Sequence, residues 1–208
     1  MTTRIKIIDA ALVLNGSEPL GSEAAPGADT HIAAYESAKN LILACHPWSF
    51  CTFNRELSRY TAAPGIHWKY AFEVPTDRIG APRAMFDRSD LRVPFTKFEL
   101  FGTSEVRTDA EQLWCAFTKD VSPAFWPPYV TEVILLLTRA ELALATREDR
   151  VMRDKLRADA IGDGGLVMQG GLLGVARGQD DMAKPSAGVG VYDNPLIDVR
   201  RSGGGWWE

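Results

Sequence analysis

The segment Tyr129–Arg147 constrains this chain more than any other. Val130, Val133, Ile134, Leu137 and Leu144 recur at helical spacing, and Leu135, Leu136 and Leu142 flank them. So wide an apolar stripe predicts a helix buried on most sides, because a surface helix carries apolar residues on one face only. Phe125-Trp126-Pro127-Pro128 provides a stiff approach to it. A membrane span is excluded here: Val130–Ala145 contains Glu132, Arg139 and Glu141, whereas a span wants about 20 predominantly apolar residues.

Two more helices precede it. Ile5, Ile8, Ala11 and Leu12 fall at helical spacing within Arg4–Leu14; Thr2 or Thr3 can cap that helix and Asn15-Gly16 stops it. Ser17–Asp29, with Pro19, Gly21, Pro26 and Gly27, reads as a loop. Asp29 or Thr30 can cap a second helix reaching about Cys45, marked by Ile32, Tyr35, Ala38 and Ile42. Pro47 ends it, since proline disfavours helix in the residue before it.

The period then changes. Phe50–Tyr60 reads as a strand, and in His67–Val74 the residues Trp68, Tyr70 and Phe72 alternate with Lys69, Ala71 and Glu73, giving an aromatic face. Arg83–Phe86, Phe95–Phe101, Ser104–Thr108 and Leu113–Phe117 complete a run of short strands. One small antiparallel sheet is expected, because short strands need neighbours. From Arg147 to Asp159 helical character returns with mixed charge, as on a solvated face, with Asp149–Arg153 paired and Arg153–Arg157 opposed.

The predicted fold class is α+β: a helical bundle of about four helices, an inserted small antiparallel β domain and an extended C-terminal arm. The bundle's N-terminal helices are placed at 1–48, the β domain at 49–121, the bundle's C-terminal helices at 122–178 and the arm at 179–208.

Charge and cysteines narrow the class. A chain of 208 residues needs no disulfide or metal to fold. A net charge of -4 gives no overall drive toward nucleic acid or acidic lipid. The three cysteines, Cys45, Cys51 and Cys115, fit a reducing compartment better than a disulfide scaffold. Met1–Asn15 is interrupted by Arg4, Lys6 and Asp9 and does not read as a signal peptide. A soluble protein made in the cytoplasm, without membrane contact, is expected.

The motifs that carry chemistry fail individually. Gly165–Gly170 has the spacing of a phosphate loop, but Gly171-Leu172 stands where Lys-Ser/Thr is needed. A dinucleotide fingerprint fails at Val167. Cys45, His46, Cys51 and His67 are too loosely spaced for structural zinc, and a histidine at a helix C-terminus suits the helix dipole. There is no Gly-x-Ser-x-Gly elbow, and nothing selects a Cys–His pair. No catalytic, cofactor-binding or metal residue is assigned, no cofactor is expected, and a structural or assembly subunit is expected rather than an enzyme.

The C-terminal third is glycine-rich. Gly162, Gly164, Gly165, Gly170, Gly171, Gly174 and Gly178 crowd one span, and each interior glycine costs a helix about 1 kcal/mol relative to alanine. Residues Gly162–Trp207 are therefore expected to order only on assembly. The chain ends with Arg200, Arg201, a triple glycine, Trp206 and Trp207. Tryptophan is enriched at interface hot spots, so these four residues read as partner contacts on a docking arm; an arm folded back or left disordered is the other reading.

Several pieces together resemble a known family. They are Leu14-Asn15-Gly16-Ser17-Glu18-Pro19, His46-Pro47-Trp48-Ser49-Phe50, Arg55-Glu56-Leu57, Trp68-Lys69-Tyr70-Ala71-Phe72 with Val74-Pro75 and Asp77-Arg78, and Pro123-Ala124-Phe125 with Tyr129. In this order, over roughly Ile5–Asp159, the chain resembles tail tubular protein A, the head-to-tail adaptor of short-tailed bacteriophages. The resemblance implies a twelve-fold ring of copies between the portal protein and a tail nozzle or tube, with genomic DNA passing through the lumen. It implies a virion location, and an acidic lumen would suit a sliding duplex. Pro47, Trp48 and Phe50, with Trp68 and Tyr70, are expected to pin the helices to the sheet. The glycine-rich C-terminal third departs from the family pattern, which continues in helix.

Overall fold

The computed structural model describes residues 2–62, 64–65, 67–162 and 170–183. These residues form a mixed α+β protein with five α-helices and two small antiparallel three-stranded sheets. Among them no helix is long and apolar enough to cross a membrane.

Helix α1 (Arg4–Leu14) begins at Thr3, whose hydroxyl accepts from the Lys6 N–H at 3.4 Å. It ends at Asn15, which is buried and donates from Nδ2 to the Arg139 carbonyl at 2.9 Å. Helix α2 (Ala28–Cys45) starts after Gly27, which is left-handed and offers no side-chain cap. Asp29 and Thr30 thus lie inside the helix, a correction to their expected capping role. Helix α3 (Pro128–Arg147) follows a 3-10 turn at Pro123–Phe125 and packs against α1, α2, α4 (Arg150–Ile161) and α5 (Gly171–Ala183). Its Val130, Val133, Ile134 and Leu137 are buried together with Ile8, Leu12, Ile42, Leu43 and Trp48.

The charged stretch after Arg147 is a new helix. Glu148 takes a left-handed φ of 55° and Asp149 caps α4, accepting from the Met152 N–H at 2.9 Å. Leu156 and Ala160 turn inward. The expected Asp149–Arg153 pair is replaced: Arg153 meets Asp154 at 2.6 Å, and Arg157 reaches Glu141 on α3 at 2.9 Å. Spacing alone missed this because the cap consumes Asp149.

The strands are β1 (Thr52–Glu56), β2 (Tyr70–Glu73), β3 (Arg78–Phe86), β4 (Phe98–Phe101), β5 (Glu105–Thr108) and β6 (Trp114–Lys119). They pair as β1-β6-β3 and β2-β5-β4, so the single expected sheet is two. Alternation shows which residues share a face, not which strand lies alongside. The sheets are stitched at both sides. Beyond β1, Tyr60 N–H donates to the Ala71 carbonyl at 2.8 Å and Glu73 N–H to Ser58 at 2.9 Å; before β4, Phe95 N–H donates to Met85 at 2.7 Å. Between them lies a second core of Leu57, Phe72, Val74, Met85, Val106, Leu113, Cys115 and Phe117. Of the expected aromatic face, Phe72 is in this core and Tyr70 packs against it. Trp68 precedes β2 and donates from Nε1 to Glu99 at 2.8 Å, so it is not part of the buried face.

Helix α5 corrects the expectation of a loose glycine segment over its described part. Gly171 is required where α5 starts: its φ is 59°, and a Cβ there would sit 2.5 Å from the Asp159 carbonyl oxygen. The glycine penalty of about 1 kcal/mol per interior position is offset by full burial of Leu173, which contributes roughly 1.5–3 kcal/mol. The helix runs to Ala183, so the residues from 179 to 183, expected in an arm, are helical. Residues 163–169, which hold most of the phosphate-loop-like spacing, and 184–208, including Arg200, Arg201, Trp206 and Trp207, lie outside the described residues.

Candidate functional site

A helix leaves its last carbonyls without intrahelical partners. At the C-terminus of α2 these groups become the joint of the molecule. The Ile42 carbonyl accepts from Trp48 Nε1 at 2.8 Å and from Cys45 Sγ at 3.1 Å. The Ala44 and His46 carbonyls both accept from Arg83 Nη2 on β3, at 2.7 and 3.0 Å. The Cys45 carbonyl accepts from Arg177 Nη2 on α5 at 3.0 Å. α2 has no basic residue in its own last turn. Two guanidinium groups from distant elements therefore supply the cations that favour the negative end of a helix dipole.

Pro47 turns the chain here and Trp48 fills the junction, fully buried. Its ring lies 4.7 Å from His46, 6.2 Å from Phe50 and 6.5 Å from Tyr129. Pro47, Trp48 and Phe50 are thus gathered at one place. Trp68 and Tyr70 make their contacts within the β module, with Glu99 and Arg59 respectively.

Asp180 of α5 closes the joint. Its carboxylate is fully buried and accepts from the Ser49 N–H at 3.1 and 3.0 Å, from Ser49 Oγ at 2.6 Å and from the Tyr129 hydroxyl at 3.3 Å. His46 Nε2 stands 3.4 Å from Asp180 Oδ2 and 3.6 Å from Asp181 Oδ1. A buried carboxylate needs hydrogen-bond donors to offset its desolvation, and this one accepts from the Ser49 N–H, the Ser49 hydroxyl and the Tyr129 hydroxyl. Burial, and then the Asp180 charge, holds the Tyr129 phenol above its ordinary range.

This arrangement is suited to holding rather than attacking. In a nucleophilic triad the imidazole stands between hydroxyl and carboxylate. Here the carboxylate stands between Ser49 and His46, and the Ser49 proton points at a group saturated with donors. Ligand atoms of His46, Asp180 and Asp181 lie within 4.8 Å of one another, so these are the described residues that could hold a cation. Asp180 already serves Ser49 and Tyr129, which leaves it little capacity for metal. The cysteines of the imagined zinc set go elsewhere: Cys45 donates to Ile42, Cys51 is buried beside Trp48, and His67 is exposed.

A second charge cluster ties the middle of α2. Lys39, 7% exposed, meets Glu36 at 2.6 Å and Asp120 at 2.7 Å, while Arg4 pairs with Glu23 and Glu36. Burial works against the Lys39 charge, but the Asp120 and Glu36 carboxylates hold its ammonium above the ordinary range. These two cations and three carboxylates line a cleft of about 520 Å³.

Sequence reasoning missed Arg83, Arg177 and Asp180. Ser49 and Tyr129 lie in the pieces that carry the family resemblance, but nothing local to residue 180 announces a partner at residue 49. The chain matches no protein-family model and no curated protein. Fold and site define an α+β protein whose helices and sheets are keyed together through the C-terminus of one helix.

Proposed function

We propose that this chain is a structural subunit of the head-to-tail connector ring of a short-tailed bacteriophage, not an enzyme. In this reading about twelve copies close a ring in the virion neck, bind the portal protein on one side and the tail nozzle or tube on the other, and surround genomic DNA without reading its sequence. One observation carries it. Residues drawn from separate pieces of the resemblance, His46–Phe50 and Tyr129, meet at a single joint, with the Trp48 and Tyr129 rings 6.5 Å apart. Pieces that belong to one structural unit are a stronger signal than the same pieces scattered.

Phe125, from the same piece as Tyr129, supports the reading from outside. It is 74% exposed on the turn leading into α3 and has the character of an interface anchor. The test is electron microscopy and native mass spectrometry of the purified full chain, alone and mixed with the portal protein of a short-tailed bacteriophage. Rings with an open lumen, lost in Phe125→Asp while the urea midpoint is kept, are expected. A chain that stays monomeric and leaves the portal untouched under all conditions overturns the proposal.

A further inference from the structure

A cleft of about 350 Å³ lies between the segment after β1 and the start of β2, lined by Arg59, Tyr60, Thr61, Ala62, Lys69 and Tyr70. That volume is within the range of small-ligand sites, roughly 300–1,000 Å³. The Arg59 guanidinium stacks over the Tyr70 ring, 5.0 Å from its centroid. Stacking fixes one face of a guanidinium and leaves its N–H edge to meet an oxyanion.

Some cations of the β module are already paired with carboxylates and others, those at this cleft among them, are not. Arg55, Arg107 and Lys119 are each tied to a carboxylate. Among the described residues, Arg59 and Lys69 form no ion pair. Asp109 approaches Lys69, but its carboxylate accepts the Lys69 backbone N–H at 3.0 Å. Tyr60 presents its ring at 41% exposure from a backbone pinned to Ala71 at 2.8 Å. The cleft thus offers two cations to an anion and a flat aromatic face beside them.

We propose that this cleft binds a nucleotide unit, with the phosphate on Arg59 and Lys69 and the base stacked on Tyr60. Free nucleotides and single-stranded nucleic acid both present that chemistry, whereas a duplex hides its base faces. Base–aromatic stacking and phosphate pairing are the usual elements of such sites. The inference is independent of the connector reading: ring assembly neither requires it nor follows from it.

The test is fluorescence anisotropy of a short labelled oligothymidylate with the full chain, over a salt series, with inorganic phosphate, thymidine monophosphate and a duplex as competitors. One phosphate neutralised by Arg59 and Lys69 together gives a log–log salt slope of about -0.7, and Lys69→Ala makes it shallower and weakens binding. Tyr60→Ala weakens binding about tenfold, while Tyr60→Phe retains it. Thymidine monophosphate competing better than phosphate identifies the mononucleotide as sufficient; oligothymidylate binding that neither displaces assigns the site to the strand; the two competing equally overturns the base-stacking part of the proposal. The proposal is overturned by no binding at low salt, by duplex competing as well as single strand, or by Lys69→Ala and Tyr60→Ala binding like the parent. Equal urea midpoints across the variants establish that each is folded.

Discussion

Replacing Asp180 tests the joint directly. Asp180→Ala removes a fully buried carboxylate and deprives Ser49 N–H, Ser49 Oγ and the Tyr129 hydroxyl of their acceptor. It also leaves His46 without the carboxylate 3.4 Å away. Hydrogen bonds to a charged group contribute about 1.5–3 kcal/mol each. Ser49 is exposed and water can replace part of its loss, whereas Tyr129 is half-buried. Breaking a buried charged partnership costs about 3–5 kcal/mol, and the rehydration of Ser49 places the expected loss at the lower end, about 3 kcal/mol. With a urea slope of about 2 kcal/mol/M, the midpoint falls by about 1.5 M. The assay is urea unfolding of the full chain followed by far-ultraviolet circular dichroism, with hydrogen exchange on α5 as a second readout. Ser49→Ala alone is expected to cost about 1 kcal/mol. The double variant should lose no more than Asp180→Ala within about 0.5 kcal/mol, because both changes remove one shared contact. A loss below about 0.5 kcal/mol for Asp180→Ala, with α5 protection unchanged, would refute the reasoning that this carboxylate holds α5 in place.

Two further outcomes test the β module. Hydrogen bonds from Arg55 and then Lys119 hold the Asp77 carboxyl below its ordinary value of 3.8. A depressed folded value contributes stability above the unfolded value, lost as pH falls through the folded one. The pair is largely exposed, so Asp77→Asn is expected to cost only about 0.5 kcal/mol at neutral pH. That difference should shrink with salt and disappear in strong acid; a difference unchanged at low pH in urea titrations would contradict it. Burial pushes the Cys115 thiol up to about 11, and Cys51 and Cys115 are both inaccessible while Cys45 is half-buried. Disulfide-reagent labelling mapped by mass spectrometry should modify Cys45 first and the other two only as the chain unfolds. Early modification of Cys115 would mean that the β core opens without unfolding.

Local sequence determined much of the framework. The spacing of Ile5, Ile8 and Leu12 and the stop at Asn15-Gly16 place α1 over Arg4–Leu14, and the apolar run in Tyr129–Arg147 marks the helix that ends up against the other four. Four of the six strands, β1, β2, β4 and β5, fall within segments where alternation and β-branched or aromatic residues predict them, while β3 starts at Arg78, ahead of the expected Arg83, and β6 runs past Phe117 to Lys119. These are short-range signals, set by helical and strand periods that a few consecutive residues express. What tertiary structure alone decided is pairing. The split into β1-β6-β3 and β2-β5-β4 follows from the extended segments at Ser58–Tyr60 and Phe95, where the chain crosses between sheets. The glycine-rich helix α5 exists because Leu173 finds a core and Asp180 finds Ser49, 131 positions earlier in the chain. Propensity argued against that helix, and burial with a satisfied carboxylate outweighed it. No local pattern encodes such a contact, since its free energy belongs to two segments that meet only once the chain has folded.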